Sequence, residues 1–333
     1  MEHDVYIVTG AAGHLGSAVT QALNGQGKTV FALCLPNEQY PPQGEHVQVF
    51  TGDICDPDSL TELFAACVNQ PVTLIHCAGI VSIASKFDQK VYDVNVIGTK
   101  NIVTLCEKHR IPKLIYISSV HAIPELPDNQ CITEVDRFSP DAVNGLYAKT
   151  KAEATQCVLD YAKRGYHVCV IHPSGIVGPG DHGRGHITQL VIDYCKGGLT
   201  SATKGGYDFV DARDVASGVL SCCENGKSGA CYILSGQYFE VYELLELLHK
   251  ITGKKKIKRV LPPWFVKATA PLAELYYKIL KQPPLFTAYS VYTLHTNANF
   301  SHEKATQDLG YTTRPMEETL TDTVNWLKAC NRL

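Results

Sequence analysis

The sequence predicts an α/β fold, a doubly wound parallel sheet with a smaller, mostly helical C-terminal lobe. Three observations predict it. Short apolar runs recur from the start of the chain to about residue 172, separated by segments of helical character. Glycines at 10, 13 and 16 follow the first run at once, where a tight turn joins strand to helix. The 333 residues suit one large α/β domain with an appended lobe, or two small domains.

In chain order, Val5–Val8 reads as a buried first strand and Leu15–Leu23 as the helix after the glycines. Gly10, Ala12, Gly13, His14, Leu15 and Gly16 then form a turn whose free backbone N–H groups and helix dipole suit a pyrophosphate. A side chain at 10 or 13 is expected to hold phosphates off the backbone, and one at 16 to push helix from strand. Thr29–Leu33 is the second strand. An Asp or Glu at its end favours NAD and an Arg favours NADP, but Cys34, Leu35, Pro36 and Asn37 stand there. The missing carboxylate leans slightly to NADP. Val47–Phe50 is a third strand, and Asp53-Ile54 follows it in an acidic turn, with Asp58 or Ser59 able to cap the next helix. Val72–Cys77 is the fourth strand, entering Ala78-Gly79, and His76 reads as a packed histidine. A long helix spans about Lys90 to His109. Gly98 inside it costs about 1 kcal/mol against Ala and implies close approach of a neighbour. Lys113–Ser118 is the fifth strand, and it delivers Ser118 and Ser119 to the carboxyl edge of the sheet, where ligands bind. His167–His172 is the sixth.

Composition narrows the function. Hydrophobic residues at 45% and charged residues at 19% describe an ordinary globular protein. A net charge of −3 gives no reason to expect nucleic acid. The 13 cysteines are scattered, with no C-x-x-C pair, as small apolar residues are in a reducing cytosol, so a cytoplasmic location and no metal site are expected. Glu2, His3 and Asp4 run straight into a strand, unlike a signal peptide. No stretch approaches the ~20 apolar residues of a membrane span.

The chemistry is carried by Tyr147-Ala-Lys-Thr-Lys151, at the start of a helix that runs to about Arg164. Residues four apart share a helix face, so the Lys151 ammonium is expected beside the Tyr147 phenol, lowering its pKa from ~10. A tyrosine so tuned exchanges a proton with an alcohol or ketone oxygen. Ser119 can donate a hydrogen bond to the same oxygen while hydride passes to or from a nicotinamide. A second Tyr-x-x-x-Lys, Tyr277 and Lys281, is the chance occurrence that a short motif brings and reads as a solvated helix face.

The Gly10-x-x-Gly13-x-x-Gly16 turn, then Ser119, Tyr147 and Lys151, resembles the extended branch of the short-chain dehydrogenase/reductase superfamily, the NAD-dependent epimerase/dehydratases. Further phrases share the likeness: Asn95-Val-Ile-Gly-Thr-Lys-Asn101, Pro173-Ser-Gly-Ile-Val-Gly-Pro-Gly-Asp181 and Tyr207-Asp-Phe-Val-Asp-Ala-Arg213-Asp-Val-Ala216. The pattern is nearest to the 3β-hydroxysteroid dehydrogenase and dihydroflavonol reductase group. The resemblance implies a Rossmann-type core over 1–172, its sheet completed by parts of 205–235, and a substrate-binding lobe over 173–333. It implies that Ser119, Tyr147 and Lys151 are catalytic. It places Asp53 and Ile54 along the adenine, and Cys77, Ala78 and Gly79 along the middle of the cofactor. Asn95 supports the site, and Pro173 and Ser174 line the nicotinamide end. His172 stands where the family has Arg. A homodimer through the Tyr147 helix is common in the family.

His182 and His186 fall among glycines, in a loop that is expected to face substrate. Asp211 is placed to cap the next helix and Arg213 to pair inside the lobe. Lys254–Arg259 is a basic run read as a solvated turn before a strand. Between Pro262 and Leu294 the aromatic residues Trp264, Phe265, Tyr276, Tyr277, Phe286, Tyr289 and Tyr292 suggest one wall of an apolar pocket. The leading expectation is an NAD(P)-dependent dehydrogenase or reductase acting on a steroid- or flavonoid-like small molecule. The alternatives are a nucleotide-sugar epimerase or dehydratase, and a nucleotide-binding regulatory protein without chemistry.

Overall fold

The computed structural model describes residues 5–68, 70–83, 86–183, 185–262 and 288–333. The first six runs form strands β1 (Val5–Thr9), β2 (Thr29–Cys34), β3 (Val47–Thr51), β4 (Val72–His76), β5 (Lys113–Ile117) and β6 (His167–Pro173). They lie parallel in one seven-stranded sheet with β10 (Cys231–Leu234), in the order β10-β6-β5-β4-β1-β2-β3. The order turns back between β1 and β4, and the crevice at that reversal is where an open parallel sheet binds a ligand.

Alternation along β1 explains why its apolar run is unbroken. Tyr6 and Val8 pack on one face with Leu15, Val19, Val215 and Val219; Val5 and Ile7 pack on the other with Leu74, Ile102 and Val158. Helices α1 (His14–Gly25) and α7 (Ala212–Asn225) cover the first face. The second is covered by α4 (Thr99–Lys108) and α5 (Leu146–Lys163). A strand buried on both faces has no polar side to show.

The rest of the chain adds small sheets and helices. The strands β7 (Gly175–Val177), β9 (Gly206–Asp211) and β11 (Gln237–Glu240) pair in the order β11-β9-β7. Helices α6 (His186–Cys195) and α8 (Val241–Thr252) lie beside the C-terminal helix Met316–Ala329. The Asp211 carboxylate caps α7 by accepting from the Arg213 N–H, and the Arg213 guanidinium pairs with Asp211 and Asp322.

Three expectations need correction. The helix expected over 90–109 runs unbroken over 89–108, but it is not α-helical throughout: Asp93–Gly98, between Gln89–Tyr92 and α4, is wound as a π-helix. Neither Asp58 nor Ser59 caps the short helix Pro57–Leu60, because the Ser59 hydroxyl is taken by the Asp56 carbonyl and the Asp53 N–H. His186 opens α6 rather than lying in a loop. Trp264, Phe265, Tyr276, Tyr277, Lys281 and Phe286 lie outside the described residues.

Candidate active site

The glycine turn is built from backbone contacts. Gly10 has φ of +63°, and a Cβ there would stand 2.7 Å from the Ala78 Cα. Close approach of the exit from β4, and not clearance for a phosphate, is what requires glycine at 10. A Cβ on Gly16 would fall 2.1 Å from the Gly10 carbonyl oxygen, which is the helix-on-strand contact expected. Gly13 is exposed, and a Cβ there would meet only the Gly10 oxygen, at 3.1 Å. No side chain caps α1 and its first turn carries no acid, so its leading N–H groups are free for an anion. Ala12 is half-buried and Leu15 buried, while His14 sits against the backbone of Gly178 and Pro179, its pKa lowered by burial.

The remaining cofactor-side candidates divide in two. Cys34 closes β2 with its thiol pushed up to about 11 by burial and by the Glu38 carboxylate. Burial pushes Cys77 up to about 12, so neither thiol is reactive at neutral pH. The Asp53 carboxylate accepts from the Cys55 N–H and shapes its own turn. Ile54 turns its side chain into the hollow left by Gly98, where a Cβ would stand 2.5 Å from the Ile54 Cδ1. Pro173 ends β6, and buried Ser174 donates its N–H to the Leu234 carbonyl. The other group converges. Gly79 lies between Asn95 and Lys151, at 3.3 Å from the Asn95 Oδ1 and 3.4 Å from the Lys151 Nζ measured from an added Cβ. The Asn95 carboxamide accepts from the Ile80 N–H at 2.8 Å and donates to the Ile80 carbonyl and the Thr150 hydroxyl. It therefore fastens the loop beyond β4 to α5.

A buried polar chain behind this group was not visible in the sequence. The Thr99 hydroxyl donates to the Asn95 carbonyl, so its oxygen accepts from the His76 Nε2–H; Nδ1 then accepts from the Thr9 hydroxyl, whose oxygen takes the Ala78 N–H. Each atom has a partner, and His76 is held neutral, with burial first and Lys151 second lowering its pKa to about 3.

Ser119, Tyr147 and Lys151 meet at the carboxyl edge of the sheet, all buried. Of the two serines, Ser118 is consumed: its hydroxyl bonds the Thr155 hydroxyl at 2.6 Å, which in turn donates to the Lys151 carbonyl. Ser119 Oγ accepts from the His121 N–H, and its hydroxyl hydrogen is left to donate toward Tyr147. Lys151 does not act as expected. Its ammonium donates to the Ile117 carbonyl at 2.8 Å and to the Tyr116 hydroxyl at 3.4 Å. Burial holds the phenol of Tyr147 up at about 12, against a downward pull from Ser119, and lowers Lys151 to about 8. One of the three ammonium hydrogens has no partner among the described residues.

These residues fit a dinucleotide. The uncapped α1, the exposed Gly13 and the unfilled donor of a buried ammonium are what a pyrophosphate and a sugar hydroxyl would complete. No group of three His, Cys, Asp or Glu among the described residues could hold a metal.

Two histidines flank Ser119: His172, which stands where the family has Arg, and His121, which no motif indicated. His172 stacks on Phe138 and donates its Nδ1–H to the Ser119 carbonyl at 2.9 Å. His121 stacks on Tyr207, bonds its hydroxyl at 3.0 Å and stands edge-on to Tyr147. His121, Tyr207, Ile123, Ile132, Ala148 and Phe300 line a narrow pocket beside the phenol. It adjoins a wider cleft of about 600 Å³ that includes Asp128, Asp208 and His295. Near the pocket mouth Tyr289 covers Gly145, whose φ is +90°, and a Cβ there would stand 2.3 Å from the Tyr289 ring.

The chain is similar to known proteins along nearly its whole length. Residues 6–234 match the model of the NAD dependent epimerase/dehydratase family. The chain is 27% identical to the sterol demethylase protein B of Methylococcus capsulatus, over 97% of this chain and 98% of that one. It is 26% identical to a 3 beta-hydroxysteroid dehydrogenase/Delta 5-->4-isomerase of Mycobacterium tuberculosis, over 92% of this chain and 85% of that one. The solved structure of gox2253 is 28% identical and superposes with a TM-score of 0.84 over 99% of each chain.

Proposed function

Since the chain belongs to the NAD-dependent epimerase/dehydratase family and is an enzyme of it, we propose that it interconverts a secondary alcohol and a ketone on a largely apolar, steroid-like small molecule. The observation that carries this reading is the meeting of buried Ser119, Tyr147 and Lys151 at the carboxyl edge of the sheet, with the His121 ring standing between Tyr147 and a pocket lined by Tyr207, Phe300 and Ile132. The named activities of the sterol and steroid relatives support it.

Bound NAD supplies the hydride acceptor and a positive ring in the crevice. The leading N–H groups of α1, beside the exposed Gly13, would hold its pyrophosphate, and the free hydrogen of Lys151 would be donated to a sugar hydroxyl. The Ser119 hydroxyl donates to the phenol and holds it in place, and Tyr147 takes or returns the proton of the substrate oxygen. The phenol must fall well below about 12 to do so near neutrality. The Ser119 donation and cationic charge near the phenol both act in that direction.

Between the two dinucleotides, the reading here is NAD. Glu38 is the charged group that acts on Cys34 at the end of β2, and a carboxylate there repels an added phosphate. This runs opposite to the slight lean toward NADP taken from the missing carboxylate.

The test is turnover of a 3β-hydroxysteroid with NAD by the wild-type protein and by Tyr147→Phe. Activity in the first, and none in the second with NADH still bound, is expected. Equal activity in both refutes the assignment of Tyr147. Stabilisation by a nucleotide sugar, with no steroid turnover, favours the epimerase reading.

A further inference from the structure

Ser119 and Tyr147 are separated by 28 positions, and their relative placement depends on a third residue between the elements that carry them. His121 belongs to the single turn Val120–Ala122 that follows Ser119. Its backbone N–H occupies one lone pair of the Ser119 Oγ. Its ring meets the Tyr147 ring edge-on, with centroids 5.9 Å apart and planes at 74°. The same ring lies flat on Tyr207, with centroids 5.4 Å apart and planes at 13°, and its Nε2 bonds the Tyr207 hydroxyl at 3.0 Å. One residue thus touches both members of the pair and is locked by a strand of the C-terminal half.

We propose that His121 is a positioning residue for Ser119 and Tyr147, and that Tyr207 locks it from the substrate side of the pocket. This rests on the reading of Ser119 and Tyr147 as the proton-transfer pair. The backbone of His121 makes the Ser119 hydroxyl an acceptor toward its own turn, which leaves its hydrogen for the phenol. The imidazole limits the rotation of the Tyr147 ring. Tyr207 is also edge-on to Phe209 and Phe300, so its ring cannot turn freely. It lines the pocket together with His121.

The imidazole serves as a neutral ring, since burial lowers its pKa to about 4. The other titratable groups that reach Tyr147 are Tyr116 on β5, Tyr207 on β9 and Tyr289, while Lys151, on the same helix as Tyr147, donates to the Ile117 carbonyl instead. None of these replaces the link to Ser119. A hydrogen bond to the phenolate lowers the pKa of a tyrosine, so a misplaced Ser119–Tyr147 pair titrates higher.

Two variants separate positioning from packing. Tyr207→Phe keeps the stacked ring and removes only its hydroxyl; His121→Phe keeps a flat ring and removes Nε2. In oxidation of pregnenolone by NAD, each lowers kcat roughly tenfold, leaves the KM for NAD within about twofold, and moves the acidic limb of the kcat–pH profile to higher pH. A substrate-free arm uses protein labelled with 13C at tyrosine Cζ, the Tyr147 signal being identified by its loss in Tyr147→Phe. That signal moves in both variants. Turnover with an unmoved limb and an unmoved signal overturns the positioning role alone. A moved signal in a protein that oxidises no steroid supports the positioning role and overturns the substrate reading. If His121→Phe does not fold, Tyr207→Phe decides by the same readouts.

Discussion

The Lys151 ammonium donates to the Ile117 carbonyl, 2.8 Å away, and leaves the Tyr147 phenol to Ser119. The lysine therefore ties α5 to the end of β5 and keeps one hydrogen for a ligand. Lys151→Met is expected to lower kcat by about 100-fold or more and to weaken NADH binding, read by nucleotide fluorescence. It also changes stability against pH. The folded pKa is about 8 and the unfolded value about 10.4, so the unfolded chain binds more protons between them. This lysine costs stability in full below pH 8, and the cost is relieved as pH rises through that window. The stability difference between wild type and Lys151→Met, measured by urea unfolding, should shift in favour of wild type from pH 8 to 10.

The three turn glycines should separate by their contacts. Gly10→Ala and Gly16→Ala drive a Cβ into backbone atoms at 2.7 Å and 2.1 Å, and should lose roughly 2–4 kcal/mol of stability. Gly13→Ala meets one oxygen at 3.1 Å on an exposed turn. It should melt within a few degrees of wild type yet bind NADH at least about tenfold more weakly. Thermal melts with and without NADH measure both.

Acid should unfold the protein partly through its buried histidines. His76 has a folded pKa of about 3, and His121 and His172 of about 4, against about 6.5 in the unfolded chain. The unfolded state binds more protons between those values, so stability falls as pH drops from 6.5 toward 4. His172→Asn keeps a donor for the Ser119 carbonyl and should show a shallower fall of Tm over that range.

Asn95→Ala removes three hydrogen bonds that join the loop beyond β4 to α5. It leaves the Ile80 N–H without its partner, at a cost of about 1–3 kcal/mol. Turnover should fall with it, because Asn95 and Lys151 stand on either side of Gly79. Denaturant unfolding and steady-state kinetics provide the comparison.

The parallel core was legible because each strand is an unbroken apolar run and Gly10, Gly13 and Gly16 punctuate the first crossover. Tyr147 and Lys151 were legible through their helical spacing and their place after Ser119. The π-helical stretch Asp93–Gly98 was not, since its residues have ordinary helical spacing and nothing in their order marks the wider winding. The direction of the Lys151 ammonium was hidden as well. Four-residue spacing places it on one face with Tyr147, but which acceptor it reaches depends on β5. His121 and Tyr207 are 86 positions apart, and no local pattern joins them.

The outer flank of β6 is covered by β10, whose Cys231–Leu234 backbone pairs with Val170–Pro173. Some sixty residues are made between the two. A fragment stopped after Pro173 would carry the glycine turn, the serine and the tyrosine, yet would display Val168-Cys-Val-Ile171 as an open ladder ready to zip onto another chain. Nucleotide binding cannot be dissected from this protein by cutting at the end of the sixth strand. Soluble truncations would have to run past Leu234.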